Sequence, residues 1–88
     1  MENKLEVFSA RYCGFCRSIK KHLALIKEEF IDLEINVFDI DAEKQMVKKR
    51  KVVEIPTIIY LEDDEEIRRA TGGKTLEELR LFLKGEKA

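Results

Sequence analysis

Tryptophan is absent from this sequence, histidine and proline occur once each, cysteine and methionine twice each, and glycine four times. Each scarcity excludes something. Two cysteines and a lone His22 fall short of the roughly four ligands of a structural zinc site, and a second cysteine pair is missing. One proline and four glycines are too few for a linker-rich or low-complexity chain. No apolar run approaches the ~18 residues of a membrane span, and Met1 to Glu6 has no apolar core of signal-peptide length, so a cytoplasmic protein is expected. Charge of one sign is missing as well. The 17 basic and 18 acidic residues leave a net −1, and no overall field recommends nucleic acid or an anionic membrane as a partner.

What is present describes a compact domain rich in regular structure. The 88 residues, 44% apolar and 40% charged, are enough for one domain spanning 1–88 and leave no room for a second. Leu5-Glu6-Val7-Phe8 reads as a strand covered on both faces. A helix then runs from near Cys13 to about Phe30, with Ile19, Leu23, Ile26 and Phe30 spaced at three or four residues behind Cys16. Its charged face carries Arg17, Lys20, Lys21, Lys27 and Glu28. Leu33 to Ile40 is a second strand, parallel to the first, which makes a right-handed βαβ unit. Asp41 is placed to cap a helix over 42–50 with Ala42 and Met46 inward, and the basic run 48–51 suits that helix's C-terminal end. Pro56 opens a third strand, Thr57 to Leu61. An acidic turn, 62–65, leads to a fourth over 66–71, whose Arg68 and Arg69 face the task of offsetting those acids. Thr75 with Glu78 forms a capping box for a last helix bearing Leu76, Leu79, Phe82 and Leu83, with Gly85 after it.

Chemistry is concentrated in Arg11-Tyr12-Cys13-Gly14-Phe15-Cys16. Cys13 falls at a strand-to-helix junction, where unsatisfied N–H groups and the positive end of the helix dipole favour a thiolate and can draw a cysteine pKa from about 8.5 towards ~7. Arg17 and Lys20 add positive charge nearby. Cys16 lies one turn on, at the head of the buried stripe. An open attacking thiol beside a sheltered resolving one suits disulfide exchange through a mixed disulfide. Two other readings stay open at this point: a metal site, and inert structural cysteines.

The element order β-α-β-α-β-β-α and two motifs resemble the thioredoxin and glutaredoxin superfamily. Ala10-Arg11-Tyr12-Cys13-Gly14-Phe15-Cys16 looks like the thioredoxin Ala-x-Trp-Cys-Gly-Pro-Cys, with Tyr12 and Phe15 as departures, and Ile55-Pro56-Thr57 matches the thioredoxin Ile-Pro-Thr. The resemblance implies an α/β thioredoxin fold, a four-stranded mixed sheet flanked by three helices. It implies catalytic Cys13 and Cys16, a cis bond before Pro56, and a substrate groove bordered by Tyr12, Phe15, Ile55, Pro56 and Gly73. The implied activity is reduction of protein disulfides by a monomer without cofactor. Its electrons come from a reductase or, on the alternative glutaredoxin branch, from glutathione.

The chain departs from the full thioredoxin pattern in lacking the extra N-terminal strand and helix. Val7 stands where thioredoxins bury the aspartate that handles the resolving thiol's proton, so that proton must travel through water or another group. Gly72-Gly73 is similar to the glutaredoxin Gly-Gly, but Lys74-Thr75 follow in place of an acid, with Arg11 and Lys74 the basic residues able to hold a carboxylate. Two rivals come from other classes: an interaction module with incidental thiols, and an iron-sulfur or metal carrier in which two chains share cysteines.

Overall fold

The computed structural model describes residues 2–86. Their order is β1 (Asn3–Ser9), α1 (Gly14–Glu29), β2 (Leu33–Asp39), α2 (Lys44–Arg50), β3 (Thr57–Glu62), β4 (Glu65–Thr71) and α3 (Leu76–Lys84). The strands form one mixed sheet in the order β2-β1-β3-β4. β1 is parallel to β2 and antiparallel to β3, and β3 is antiparallel to β4.

Two apolar layers cover the sheet. Leu5 and Val7 of β1 join Ile19, Leu23 and Ile26 of α1 and Leu79 and Leu83 of α3 on one side, while Phe8, Ile59 and Leu61 pack with Met46 and Val47 of α2 on the other. Alternate residues of a strand point to opposite faces, so β1 is buried on both, as a central strand must be. The same alternation places Glu6 on the α2 side, in the one charged position of an otherwise apolar run. Its carboxylate is buried and accepts from Arg50 at the end of α2, Nε to Oε1 at 2.6 Å and Nη2 to Oε2 at 3.1 Å.

The hairpin between β3 and β4 turns on Asp63 and Asp64, both at positive φ, a two-residue turn whose twist matches the strands. At the far end Thr75 and Glu78 form both halves of the expected capping box, and α3 stops at Gly85 in the left-handed conformation.

Three expectations need correction. Asp41 does not cap the second helix; that helix begins at Lys44 behind Glu43, which makes no side-chain cap, and Ala42 is exposed. Asp39 uses its carboxylate to hold the Asp41 N–H instead, which spends the intervening residues on a turn. Nor do Arg68 and Arg69 offset the acidic turn. Strand alternation sends Arg68 to α3, where it donates to the Phe82 and Leu83 carbonyls and lies over the Tyr60 ring, while Arg69 pairs with Glu66 and donates to the Arg50 carbonyl. Lys4, across the sheet, takes Asp64 at 3.0 Å.

Candidate functional site

The turn after β1 delivers Cys13 to the head of α1. Its N–H donates to the Ala10 carbonyl at 3.2 Å, and its backbone stays extended at φ −98° and ψ 112°. Cys13 is thus the N-cap residue, and its sulfur accepts the Cys16 N–H at 3.2 Å in the place usually taken by a serine or aspartate oxygen. No acidic side chain sits in the first turn of α1 to compete with it. The sulfur therefore occupies the anion position at the positive end of a sixteen-residue helix.

Cys16 differs. Both cysteines are free thiols, but Cys13 is partly exposed and Cys16 fully buried. Burial, followed by the hydrogen bond shared with Cys13, pushes the Cys16 thiol up to about 11. The Ala10 N–H and, to a lesser degree, the Lys20 ammonium pull the other way. Of the two basic residues singled out near the thiols, Lys20 is the one that acts on Cys16.

The cysteines are flanked by two open grooves. Tyr12 and Ile55 line one of about 300 Å³, with Ile40, Val47, Val52, Val53 and Glu54. Phe15 and Gly73 line the other, of about 600 Å³, with Ser18, His22, Lys74, Thr75, Leu76 and Glu78. Tyr12 is 72% exposed and Phe15 68%, so neither ring is core packing. A third groove of about 610 Å³ lies between α1 and β2, away from both cysteines.

The Ile55–Pro56 bond is cis, as the resemblance implied. Pro56 is buried, its carbonyl accepts the Gly72 N–H at 2.9 Å, and Thr57 Oγ1 donates to the Glu54 carbonyl at 2.6 Å. These bonds fasten both sides of the loop. Between them, neither main-chain group of Ile55 has a hydrogen-bond partner among the described residues. Gly73 touches Phe15 closely enough that a Cβ there would lie 2.7 Å from the ring. Lys74 is committed to its own loop, donating to the Thr71 carbonyl at 2.7 Å, and does not reach out as a free cation for a carboxylate.

Sequence reasoning missed Val47, Val52 and Val53 on the Tyr12 side and Ser18 and His22 on the Phe15 side. The signal for Val53, 90% exposed, was an aliphatic residue within a loop just before Pro56. Among the described residues no group of three or more His, Cys, Asp or Glu could hold a metal ion, and no helix is long and apolar enough to cross a membrane.

A family model described as Thioredoxin matches residues 2–85. The chain is 34% identical over 74 residues to Thioredoxin H2 of Arabidopsis thaliana, covering 82% of this chain and 56% of that protein. It is 32% identical over 68 residues to a thioredoxin of Mycobacterium tuberculosis, covering 76% and 59%. It therefore spans a little over half the length of these curated relatives. Among solved structures, a Fasciola hepatica thioredoxin superposes with a TM-score of 0.87 at 26% identity, covering 98% of this chain and 82% of the other.

Proposed function

The chain belongs to the thioredoxin family, and from that premise we propose that it is a small thiol-disulfide oxidoreductase that reduces protein disulfides. The observation that carries the reading is the asymmetry of the two thiols. Cys13 is open to a partner and caps the helix by accepting the Cys16 N–H at its sulfur, while Cys16 is buried one turn behind it with its thiol hydrogen-bonded to Cys13.

The Cys13 thiolate attacks one sulfur of the substrate disulfide. A Cys13–substrate disulfide forms, the substrate's own S–S bond breaks, and the first substrate thiolate leaves. The Cys16 thiolate then attacks Cys13 Sγ, which closes the Cys13–Cys16 disulfide and releases the second substrate thiolate. Two electrons pass from the dithiol to the substrate, and a reductase returns them. Partial exposure at the head of α1 makes Cys13 the thiol that meets the substrate first. Burial of Cys16 prevents it from competing for the substrate and leaves it free for the intramolecular step.

Tyr12, Phe15 and Gly73 border the groove on either side of the cysteines, and beside Pro56 the unpaired main chain of Ile55 is suited to pair with an extended substrate segment. The domain works alone as a cytoplasmic monomer and needs no cofactor. A protein reductase is favoured over glutathione as donor because glutathione is a small charged ligand that needs fixed partners for its carboxylates and its amine. Lys74 is engaged by its own loop, and Thr75 is tied up in the capping box of α3.

The test is turnover of an insulin disulfide with thioredoxin reductase, run beside a glutathione and glutathione reductase couple. Turnover with the first couple is expected. Saturation with millimolar glutathione, and no turnover by the reductase, would reassign the donor. Inactivity with both would remove the enzymatic reading and leave an interaction module.

A further inference from the structure

We propose that the Ser9 hydroxyl at the end of β1 is the polar group that serves Cys16 during the resolving step, donating a hydrogen bond to its sulfur as the thiolate forms. This inference rests on the dithiol reading above.

Ser9 is 1% exposed, and its Oγ is buried without a hydrogen-bond partner among the described residues. A hydroxyl in that condition is destabilising, and such groups are uncommon enough in folded proteins to need a reason. Its place supplies one. Alternation along β1 puts Ser9 on the same face as Leu5 and Val7, the face covered by α1 and α3. Cys16 is wholly buried on the inward stripe of α1, in its first turn. The peptide that joins Ser9 to Ala10 turns its N–H towards the Cys16 thiol, so Ser9 is covalently next to the group that meets this sulfur.

The chemistry of the second step creates the need. In the reduced protein the Cys16 S–H is shared with Cys13, but once Cys13 carries the substrate that sulfur is no longer an anion. Cys16 must then lose its proton to solvent water while buried, which burial opposes. The titratable groups that act most strongly on the thiol are Cys13 at the head of α1 and Lys20 one turn further on. From the end of β1 and the turn after it only the Ala10 N–H acts, and Val7, two residues before Ser9 on the same face, is apolar. In the reduced protein the Ser9 hydroxyl bonds to neither cysteine; its side chain has a free χ1, and turning it towards α1 lets the hydroxyl donate to the Cys16 thiolate as it forms. The thiolate attacks Cys13 Sγ, the new S–S bond forms, and the bond to the substrate breaks.

The experiment uses the whole chain and an aromatic disulfide reporter that leaves a thionitrobenzoate adduct on Cys13. Release of the second coloured thiolate from that adduct times the attack by Cys16. Ser9→Ala is expected to slow this release about tenfold at neutral pH, by moving its rise with pH upward by about one unit, the usual worth of one hydrogen bond to a charged group. Ser9→Thr should restore the rate. The first step, measured in Cys16→Ser with and without Ser9→Ala, should not change. An unaltered release profile in Ser9→Ala, or equal slowing of both steps, would overturn the proposal. If alanine disturbs the strand, Ser9→Thr against Ser9→Val makes the same comparison at matched shape, and equal rates in that pair would overturn it too. A wild-type adduct that releases no second thiolate would instead remove the dithiol reading, whatever Ser9 does.

Discussion

Breaking the ion pair between β1 and α2 gives the most quantitative test of how this small domain is held together. Glu6 and Arg50 are 44 residues apart, their side chains are 4% and 14% exposed, and two hydrogen bonds join them in a fork. Arg50→Met leaves the Glu6 carboxylate buried without its partner, a class of change that costs about 3–5 kcal/mol. A chain of this length is stable by roughly 4–13 kcal/mol, so the loss is a large fraction of the whole, and Tm should fall by roughly 12 °C or more. Glu6→Leu should cost less, because Arg50 sits at a helix end and its guanidinium can move out to water along its own stem. The double variant Glu6→Leu with Arg50→Met should return to within about 1 kcal/mol of wild type, since a packed apolar pair escapes both desolvation penalties. Urea unfolding of the four proteins at pH 7 is the assay. A deficit in Arg50→Met below ~1 kcal/mol at pH 7, or a double variant as unstable as the single one, would refute the reasoning.

Three further outcomes are expected. Gly73→Ala should push the Phe15 ring aside, because the new methyl lies 2.7 Å from it, yet cost less than ~1 kcal/mol since Phe15 is exposed and free to turn; KM for a protein disulfide should rise several-fold with kcat little changed. Cys13→Ser should abolish turnover and Cys16→Ser should accumulate a mixed disulfide, with alkylation at neutral pH selective for Cys13; mass spectrometry that finds Cys16 labelled first would reverse the roles. Arg68→Ala should lose about 2 kcal/mol in urea unfolding, having removed two bonds to the terminal carbonyls of α3 and the contact with Tyr60, with activity retained.

Within the site, Cys13 and Cys16 were legible from spacing alone. Two residues three apart at a strand-to-helix junction can only lie one turn apart, and the 3.6-residue period of Ile19, Leu23 and Ile26 tells which of them turns inward. That Tyr12 and Phe15 border a groove came from the family resemblance and not from spacing; both rings are exposed. Their grooves were not legible. The walls are completed by Val47 and Val52 in one case and by His22 and Leu76 in the other, residues whose own local patterns record nothing of the cysteines.

Local order thus determined what local forces control. Capping of α3 by Thr75 and Glu78, the buried stripe of α1, the strand alternation and the thiol at the helix head all depend on groups within about four residues of each other, and the sequence states them directly. Tertiary structure decided everything that needed a partner from afar. Arg50 belongs by sequence to a basic helix end and by fold to Glu6, Arg68 serves the end of α3 in place of the neighbouring turn, and Ser9 reads as a polar strand end until the sheet and α1 close over its hydroxyl. A side chain's own position fixes the face it occupies. What it meets there is set by loop closures over tens of residues, and no short-range periodicity records them.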